Sequence, residues 1–292
     1  MNYRMLTEKV FVDMTGHDAK DKAGQKRAKI FCVAYTISSS HWKTDAIRET
    51  WGQKCDGFIV ASNKTDPAYN AVDIVHEGDE AYQNIWQKVR AIWAYVYDNY
   101  YEAYDWFHIG GDDLYLIVEN LRLYLESEEI QVAQNGGYYL PDGNETHQTP
   151  LFLGRRFKYL GDWNKIFNSG GSGYTLNKAS LKLLITELFP AHFPHLRSFA
   201  EDVMVASAFR KAGVFAFETK DDAGGERYMP FSPAHHYGYR MPTKLPIKDW
   251  YANYAIDIKF GPDHCAARSV AFHYIKPPPL MRRLHAILYH YC

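Results

Sequence analysis

The chain has 292 residues, 47% of them hydrophobic, and a formal net charge of -1 at pH 7. It is long enough to bury a sizeable core, and the near-neutral balance without a sustained basic run argues against nucleic acid or an anionic membrane surface as the main partner. A small or polar ligand is the better expectation: the 23 Tyr, 16 Phe and 7 Trp are flat rings that suit the apolar faces of sugars, although such rings also fill ordinary cores.

A polar, Lys-rich lead-in occupies residues 1–28. Residues 29–36 read as the first strand, and a polar stretch then leads into a helix around Asp45 to Trp51. Gly57 to Ala61 form a second strand and Ala71 to Val75 a third. Tyr82, Ile85, Trp86, Val89, Trp93, Val96, Tyr97 and Tyr100 recur at helical spacing, which predicts a long amphipathic helix packed on the sheet. The apolar run from Trp106 then stops at Gly110-Gly111-Asp112-Asp113. It reads as a buried strand delivering carboxylates to its C-terminal end, where open α/β sheets bind ligands and where a hard cation with a phosphorylated substrate would be held. The same four residues are also good turn chemistry. Alternation of β and α through residue 120 predicts an α/β fold with a parallel, Rossmann-like sheet.

The second half carries more loops. A turn at Pro141 to Asn144 precedes Leu151-Phe152-Leu153-Gly154-Arg155-Arg156, and the Gly-rich segment Ser169 to Tyr174 follows. Helices are predicted at about Lys178 to Leu188 and Asp202 to Lys211. Residues 221–277, rich in Pro, His and Tyr, read as loops wrapping a binding site. Pro277-Pro278-Pro279 halts them before a final helix through Tyr289. There is no internal repeat and no linker-like stretch, so residues 29–292 are expected to form a single domain.

No run approaches the roughly 20 apolar residues that span a bilayer, and the N-terminus lacks a signal-peptide apolar region, so the chain as given is expected to be soluble. Cys32, Cys55, Cys265 and Cys292 show no Cys-x-x-Cys spacing, which makes a structural zinc site a poor reading. Their even number permits two disulfides, and a bridge from Cys32 to Cys55 would join neighbouring elements. Asn63-Lys64-Thr65 and Asn144-Glu145-Thr146 match the glycosylation triplet and suit a lumenal setting.

Three further segments each carry a bland and a chemical reading. Glu201-Asp202-Val203 opens a helix, where carboxylates serve as caps and complement the helix dipole; alternatively Asp202 is a general base for a sugar hydroxyl. His273, between Phe272 and Tyr274, is either a satisfied core residue or an imidazole completing a mixed oxygen and nitrogen site with Asp113. Gly170-Gly171-Ser172-Gly173 would let the backbone approach a ligand closely.

Taken together, these segments resemble the inverting β-1,3-glycosyltransferases, and within them the core 1 galactosyltransferase subgroup. The broad elements are Ala46 to Gly52, Tyr82 to Ile85 with Lys88, the aspartate motif, Ser169 to Tyr174, and Glu201-Asp202-Val203. Gly154 to Lys158, Pro230-Phe231 with Pro233 and His235-His236, and Val270 to Tyr274 are closer to the subgroup. The resemblance covers roughly residues 29–290, and its weight lies in the collinear order of the segments. It implies a GT-A fold, with residues 29–120 mainly on the UDP-sugar side and 121–292 mainly on the acceptor side.

The resemblance also implies roles. Asp113 and His273 would ligate Mn2+, which stabilises the departing UDP, and Asp202 would be the base that activates the acceptor 3-hydroxyl. Arg48, Asn84, Lys88, Asp112, Gly170 and Gly171 would shape the donor pocket. Trp250, Tyr251 and Tyr254 lie where the subgroup carries acceptor-side aromatics and would stack on a GalNAc ring or pack a loop. The implied partners are a UDP-sugar and an O-GalNAc glycoprotein or another glycan, with a homodimer left open. The implied setting is the Golgi lumen, reached with a type II anchor that this chain lacks.

Two departures qualify this. Gly111 stands where the family's motif has the first of three aspartates, which keeps UDP-GlcNAc or UDP-glucose open as donors. His264-Cys265 stands where the subgroup has paired cysteines, leaving Cys292 as a speculative partner for Cys265. A catalytically silent glycan-binding or chaperone-like homologue is the alternative from another class. Retention of Asp113, Asp202 and His273 together argues against it.

Overall fold

The computed structural model describes residues 4–16, 27–136, 148–244 and 248–290. The turn expected at Pro141 to Asn144, the second glycosylation triplet and Cys292 lie outside the described residues. Twelve strands are present among them: β1 (Ile30–Tyr35), β2 (Gly57–Ser62), β3 (Ala71–Asp73), β4 (Trp106–Gly111), β5 (Tyr115–Leu116), β6 (Phe152–Gly154), β7 (Arg156–Lys158), β8 (Ile166–Asn168), β9 (Tyr174–Asn177), β10 (Ala216–Phe217), β11 (Tyr228–Met229) and β12 (Ala271–Phe272). Seven of these form one sheet in the order β10-β6-β9-β4-β1-β2-β3. Strands β3, β2, β1 and β4 are mutually parallel, as the alternating pattern predicts, and β9 enters antiparallel beside β4.

The central strand shows why the apolar runs carry no polar alternation. Ile30, Cys32 and Ala34 point into one core with Trp51, Leu121 and Leu284, while Phe31 and Val33 point into a second with Trp86, Trp93 and Phe209. Both faces are covered, so successive side chains are all buried, as a parallel sheet between helices requires. The helix Ile85–Tyr100 covers one face, and the helices Val118–Leu125 and Pro278–His290 cover the other. The lead-in contributes too: Leu6, Val10 and Val12 are buried in the first core.

Two boundaries differ from expectation for physical reasons. The helix expected around Asp45 to Trp51 runs over His41–Glu49, because its first buried positions are the polar His41 and Thr44, which apolar periodicity does not register. The segment 221–277, expected as loops, holds β11, β12 and the short helices Pro233–Gly238 and Trp250–Tyr254. These elements are too short to show a period. Cys32 and Cys55 form a disulfide between β1 and the residue pair preceding β2, and Cys265 is a buried free thiol. No helix among the described residues is long and apolar enough to cross a membrane.

Candidate active site

Strand β4 ends in a turn, so the strand and turn readings of Gly110-Gly111-Asp112-Asp113 are both correct. A side chain on Gly110 would collide with Leu114, which folds back under the strand end. The Leu114 amide donates to the Gly111 carbonyl at 3.2 Å and closes the turn. Asp112 and Asp113 are thereby held beyond the carboxyl end of the sheet, the usual ligand position in such folds.

His273 reaches this turn through strand pairing. Phe272 of β12 lies opposite Tyr115 of β5 in antiparallel register, and the Ile275 amide donates to the Asp113 carbonyl at 2.8 Å. The result places His273 Nε2 3.2 Å from Asp113 Oδ1. On the other side of the ring, Nδ1 lies 3.1 Å from the Pro230 carbonyl. A carbonyl only accepts, so Nδ1 carries a hydrogen and Nε2 is left to face the carboxylate. Unless Nε2 is protonated, two lone pairs face one another there and need a cation between them. Burial raises the Asp113 carboxyl, but the hydrogen bond and charge of His273 and the charge of Lys276 outweigh it and hold the group below the ordinary aspartate value.

Among the described residues no cluster of three or more His, Cys, Asp or Glu is arranged to hold a metal. The pair fits a divalent cation nonetheless, because one carboxylate, one oriented imidazole and the oxygens of a bound diphosphate make a substrate-completed site.

Asp202 stands at the first turn of the helix Glu201–Lys211. Its Oδ2 accepts from the Gly170 amide at 2.8 Å and its Oδ1 from the Val203 amide at 2.8 Å. The N-cap position is Ala200 and carries no side-chain cap, so the capping reading of this motif does not hold; the two amides instead fix the orientation of a carboxylate inside the first turn. Burial raises the Asp202 carboxyl above the ordinary aspartate value, against the two amides that lower it. Its neighbour Glu201 is buried, accepts from the Tyr174 hydroxyl at 3.2 Å, and is raised well above the ordinary value by burial and by the charge of Asp202.

The Gly-rich turn joins these two groups. A Cβ on Gly171 would lie 2.5 Å from both Cε1 and Nδ1 of His273, and one on Gly170 would collide with Glu201. The close approach that these glycines permit is thus to the protein's own side chains. One two-residue backbone segment spaces His273 from the Glu201–Asp202 pair.

The donor-pocket candidates divide. Asp112 Oδ2 accepts from the Thr36 hydroxyl at 2.6 Å and faces Lys43 Nζ at 3.3 Å. Buried Lys88 donates to the Thr36 carbonyl at 2.6 Å and to Glu80 at 2.9 Å, and burial lowers its pKa. Asp112 and Lys88 therefore meet through Thr36. Buried Asn84 instead spends its amide on the carbonyls of Glu77 and Asp79, pinning that loop. Arg48 donates to the Ala68 carbonyl and faces Asp45, and no hydrogen bond or ion pair among the described residues links it to Asp112.

No protein-family model matches the sequence. A curated relative, glycoprotein-N-acetylgalactosamine 3-beta-galactosyltransferase 1 of Xenopus laevis, is 29% identical over 271 residues, 91% of this chain and 67% of the relative. The chain is similar to that enzyme along most of its length. A solved structure of a glycosyltransferase involved in glycosylation of the major capsid of PBCV-1 also aligns, at 13% identity and a TM-score of 0.33 over 60% of this chain and 73% of that one.

The three aromatic candidates Trp250, Tyr251 and Tyr254 separate by burial. Tyr251 is 1% exposed, its hydroxyl lies 2.8 Å from His264 Nε2 and 3.3 Å from Arg155, and its ring is enclosed by Phe157, Phe231, His236 and Tyr239. It packs the loop and offers no face to a sugar. Trp250 is 45% exposed and keeps one available, and half-buried Tyr254 packs edge-on against Trp250 and Tyr159. Sequence reasoning missed Thr36, Lys43 and Glu80, which tether Asp112 and Lys88. Thr36 was legible only as the end of the first predicted strand; it follows β1 directly, as Asp112 follows β4.

Proposed function

We propose that this protein is a Mn2+-dependent inverting β-1,3-galactosyltransferase acting from UDP-galactose on the 3-hydroxyl of O-linked GalNAc. The observation that supports it most is the placement of the Asp113–His273 pair and of Asp202 on the two sides of one two-glycine turn. Asp113 and His273 would hold the cation, which when bound neutralises the diphosphate and stabilises departing UDP. His273 keeps its Nε2 turned to Asp113 because Nδ1–H is occupied by the Pro230 carbonyl. Lys88, Lys43 and Thr36 fix Asp112 and the edge of the donor pocket.

Asp202 takes the proton from the acceptor hydroxyl as that oxygen attacks the anomeric carbon from the face opposite UDP. The Gly170 and Val203 amides hold its two oxygens while it does so. One protein carboxylate suffices, because UDP leaves as an anion and needs no acid, unlike the sugar alkoxide of a glycosidase. A lumenal Golgi setting accords with the Cys32–Cys55 disulfide and with the exposed Asn63 of the first glycosylation triplet. Gly111 supports a second reading in which mechanism is kept and the donor is UDP-GlcNAc or UDP-glucose.

The test is transfer from UDP-galactose to a GalNAc-α-Thr peptide with Mn2+, beside an EDTA control and Asp202→Asn. Transfer abolished by both controls supports donor, acceptor, metal and base together. No transfer by the unaltered protein while UDP still binds with Mn2+ overturns the galactose and GalNAc assignment. Failure to bind UDP at all favours a silent homologue.

A further inference from the structure

Strand β4 carries a histidine in the middle of its apolar run. His108 lies opposite Thr175 of β9 in antiparallel register. Its Nδ1 is 2.9 Å from Thr175 Oγ1, which in turn lies 3.0 Å from the hydroxyl of Tyr228 on β11. All three side chains are fully buried. Burial holds the pKa of the imidazole down to about 3, so the ring stays neutral, and its Nε2 has no hydrogen-bond partner among the described residues. A buried polar chain left incomplete in this way costs stability that apolar side chains of the same shape would not. Its contribution therefore lies in what it holds in place.

The three residues join parts of the candidate site that come from different elements. His108 precedes Asp113 on the strand and turn that deliver the carboxylate. Its ring also lies against the last glycine of the Gly-rich turn, where a Cβ on Gly173 would sit 2.7 Å from Nε2 and 2.8 Å from Cε1. The Gly173 amide donates to the Gly170 carbonyl at 3.0 Å, so the histidine backs the turn whose other end holds Asp202. Tyr228 opens β11, and the carbonyls that follow it hold His273. Met229 accepts from the His273 amide at 3.1 Å, and the Pro230 carbonyl lies 3.1 Å from Nδ1. Strand β11 has two residues and pairs with β12 in the three-stranded sheet, outside the seven-stranded one. So short a strand has little ladder of its own to fix it. The Tyr228–Thr175 hydrogen bond ties it across to the large sheet.

We propose that His108, Thr175 and Tyr228 are positioning residues: they form a buried brace that registers the Pro230 carbonyl, and with it the His273 imidazole, against the strand that delivers Asp113. Being buried, none of the three contacts a ligand itself. The inference takes the role of His273 from the UDP-sugar and metal reading above, and the experiment includes a readout that does not depend on that reading.

Two variants test it. Tyr228→Phe removes one hydroxyl, and the triple change His108→Leu, Thr175→Val and Tyr228→Phe removes every polar group of the brace and leaves none of them buried without a partner. The triple variant guards against a loss of folding, which thermal melting checks. The first readout needs no metal: it is the His273 Nδ1–H resonance in protein carrying nitrogen-labelled histidine, assigned by its loss in His273→Asn. The second is the Mn2+ concentration that half-saturates UDP binding, followed by calorimetry. Both variants are expected to shift the His273 resonance and to speed its exchange with water. They are also expected to raise the Mn2+ requirement about 3- to 10-fold, less than the loss of a ligand's own hydrogen-bond partner would, with UDP binding in EDTA unchanged. If the folded triple variant keeps the resonance and the Mn2+ requirement of the unaltered protein, the brace does not position His273 and the inference is overturned. If the unaltered protein binds no UDP with Mn2+, the UDP-sugar reading fails, and the resonance alone decides the inference.

Discussion

Replacing Gly171 by alanine tests whether the two-glycine turn sets the position of His273. The added Cβ would sit 2.5 Å from Cε1 and Nδ1 of the imidazole, where ordinary contact begins at 3.4 Å. Gly171 is absent from the positive-φ glycines, so alanine is admissible in conformation and its effect is steric. The imidazole has to retreat by about 1 Å, and a misplacement of that size costs on the order of 10²-fold in rate when it falls on a group that orients the reaction. The retreat also disturbs the 3.1 Å contact to Pro230 and the 3.2 Å contact to Asp113.

The assay is donor hydrolysis and transfer with Mn2+, together with UDP affinity and a melting curve. Gly238→Ala is the control, since that glycine has open space around its Cβ position and no positive φ. The expected outcome is a loss of about 10²-fold in rate for Gly171→Ala, weaker Mn2+-dependent UDP binding and a small drop in Tm, with Gly238→Ala unchanged. Full rate and full UDP affinity in Gly171→Ala would show that the turn does not position His273.

Asp202→Asn is expected to lower transfer by about 10²- to 10⁴-fold while leaving UDP affinity and Tm in place, because an amide oxygen still accepts from Gly170. In the unaltered enzyme the Asp202 carboxyl is raised, so transfer should rise with pH through a midpoint above the ordinary aspartate value; an acid limb centred on the ordinary value contradicts the base assignment. Glu201 is also raised in the folded protein. The unfolded chain then releases that proton first, and stability falls as pH climbs past the ordinary glutamate value toward the folded one. Glu201→Gln should flatten the slope in that window, and denaturant titrations at several pH values with equal slopes would refute this. Replacing both Cys32 and Cys55 by serine removes a bridge with a sequence separation of 23, and urea unfolding should show a loss of about 3 kcal/mol from loop entropy.

The parallel half of the fold was legible because each of its elements has a period or a clean apolar run. Cys32 and Val33 alternate into the two cores, and Trp86, Val89, Trp93 and Val96 line one helical face. The carboxylate turn was legible for the same reason, as the place where such a run stops. The partnership of Asp113 with His273 was not, since it depends on β5 and β12, strands of two residues each that no periodicity can reveal. It entered through the collinear resemblance alone. The acceptor aromatics show a different limit. Trp250 and Tyr251 are adjacent and chemically alike, but Arg155 and His264 beneath the loop capture the tyrosine hydroxyl and turn that ring inward. Thr36 and Lys43 were missed because neither residue type is distinctive until Asp112 is seen between them.

The turn at Gly170 and Gly171 has a consequence for how such an enzyme can diverge. Its backbone is the common wall of two compartments, touching His273 on one side and Glu201 with Asp202 on the other. Any side chain added there is felt in both compartments at once, so a lineage changing what it transfers, or to what, finds no gradual route through these two positions. On the proposed reading, variation is channelled to the periphery, to residues such as Gly111 and the exposed Trp250, where a substitution would reshape the berth of one ligand without entering this shared wall.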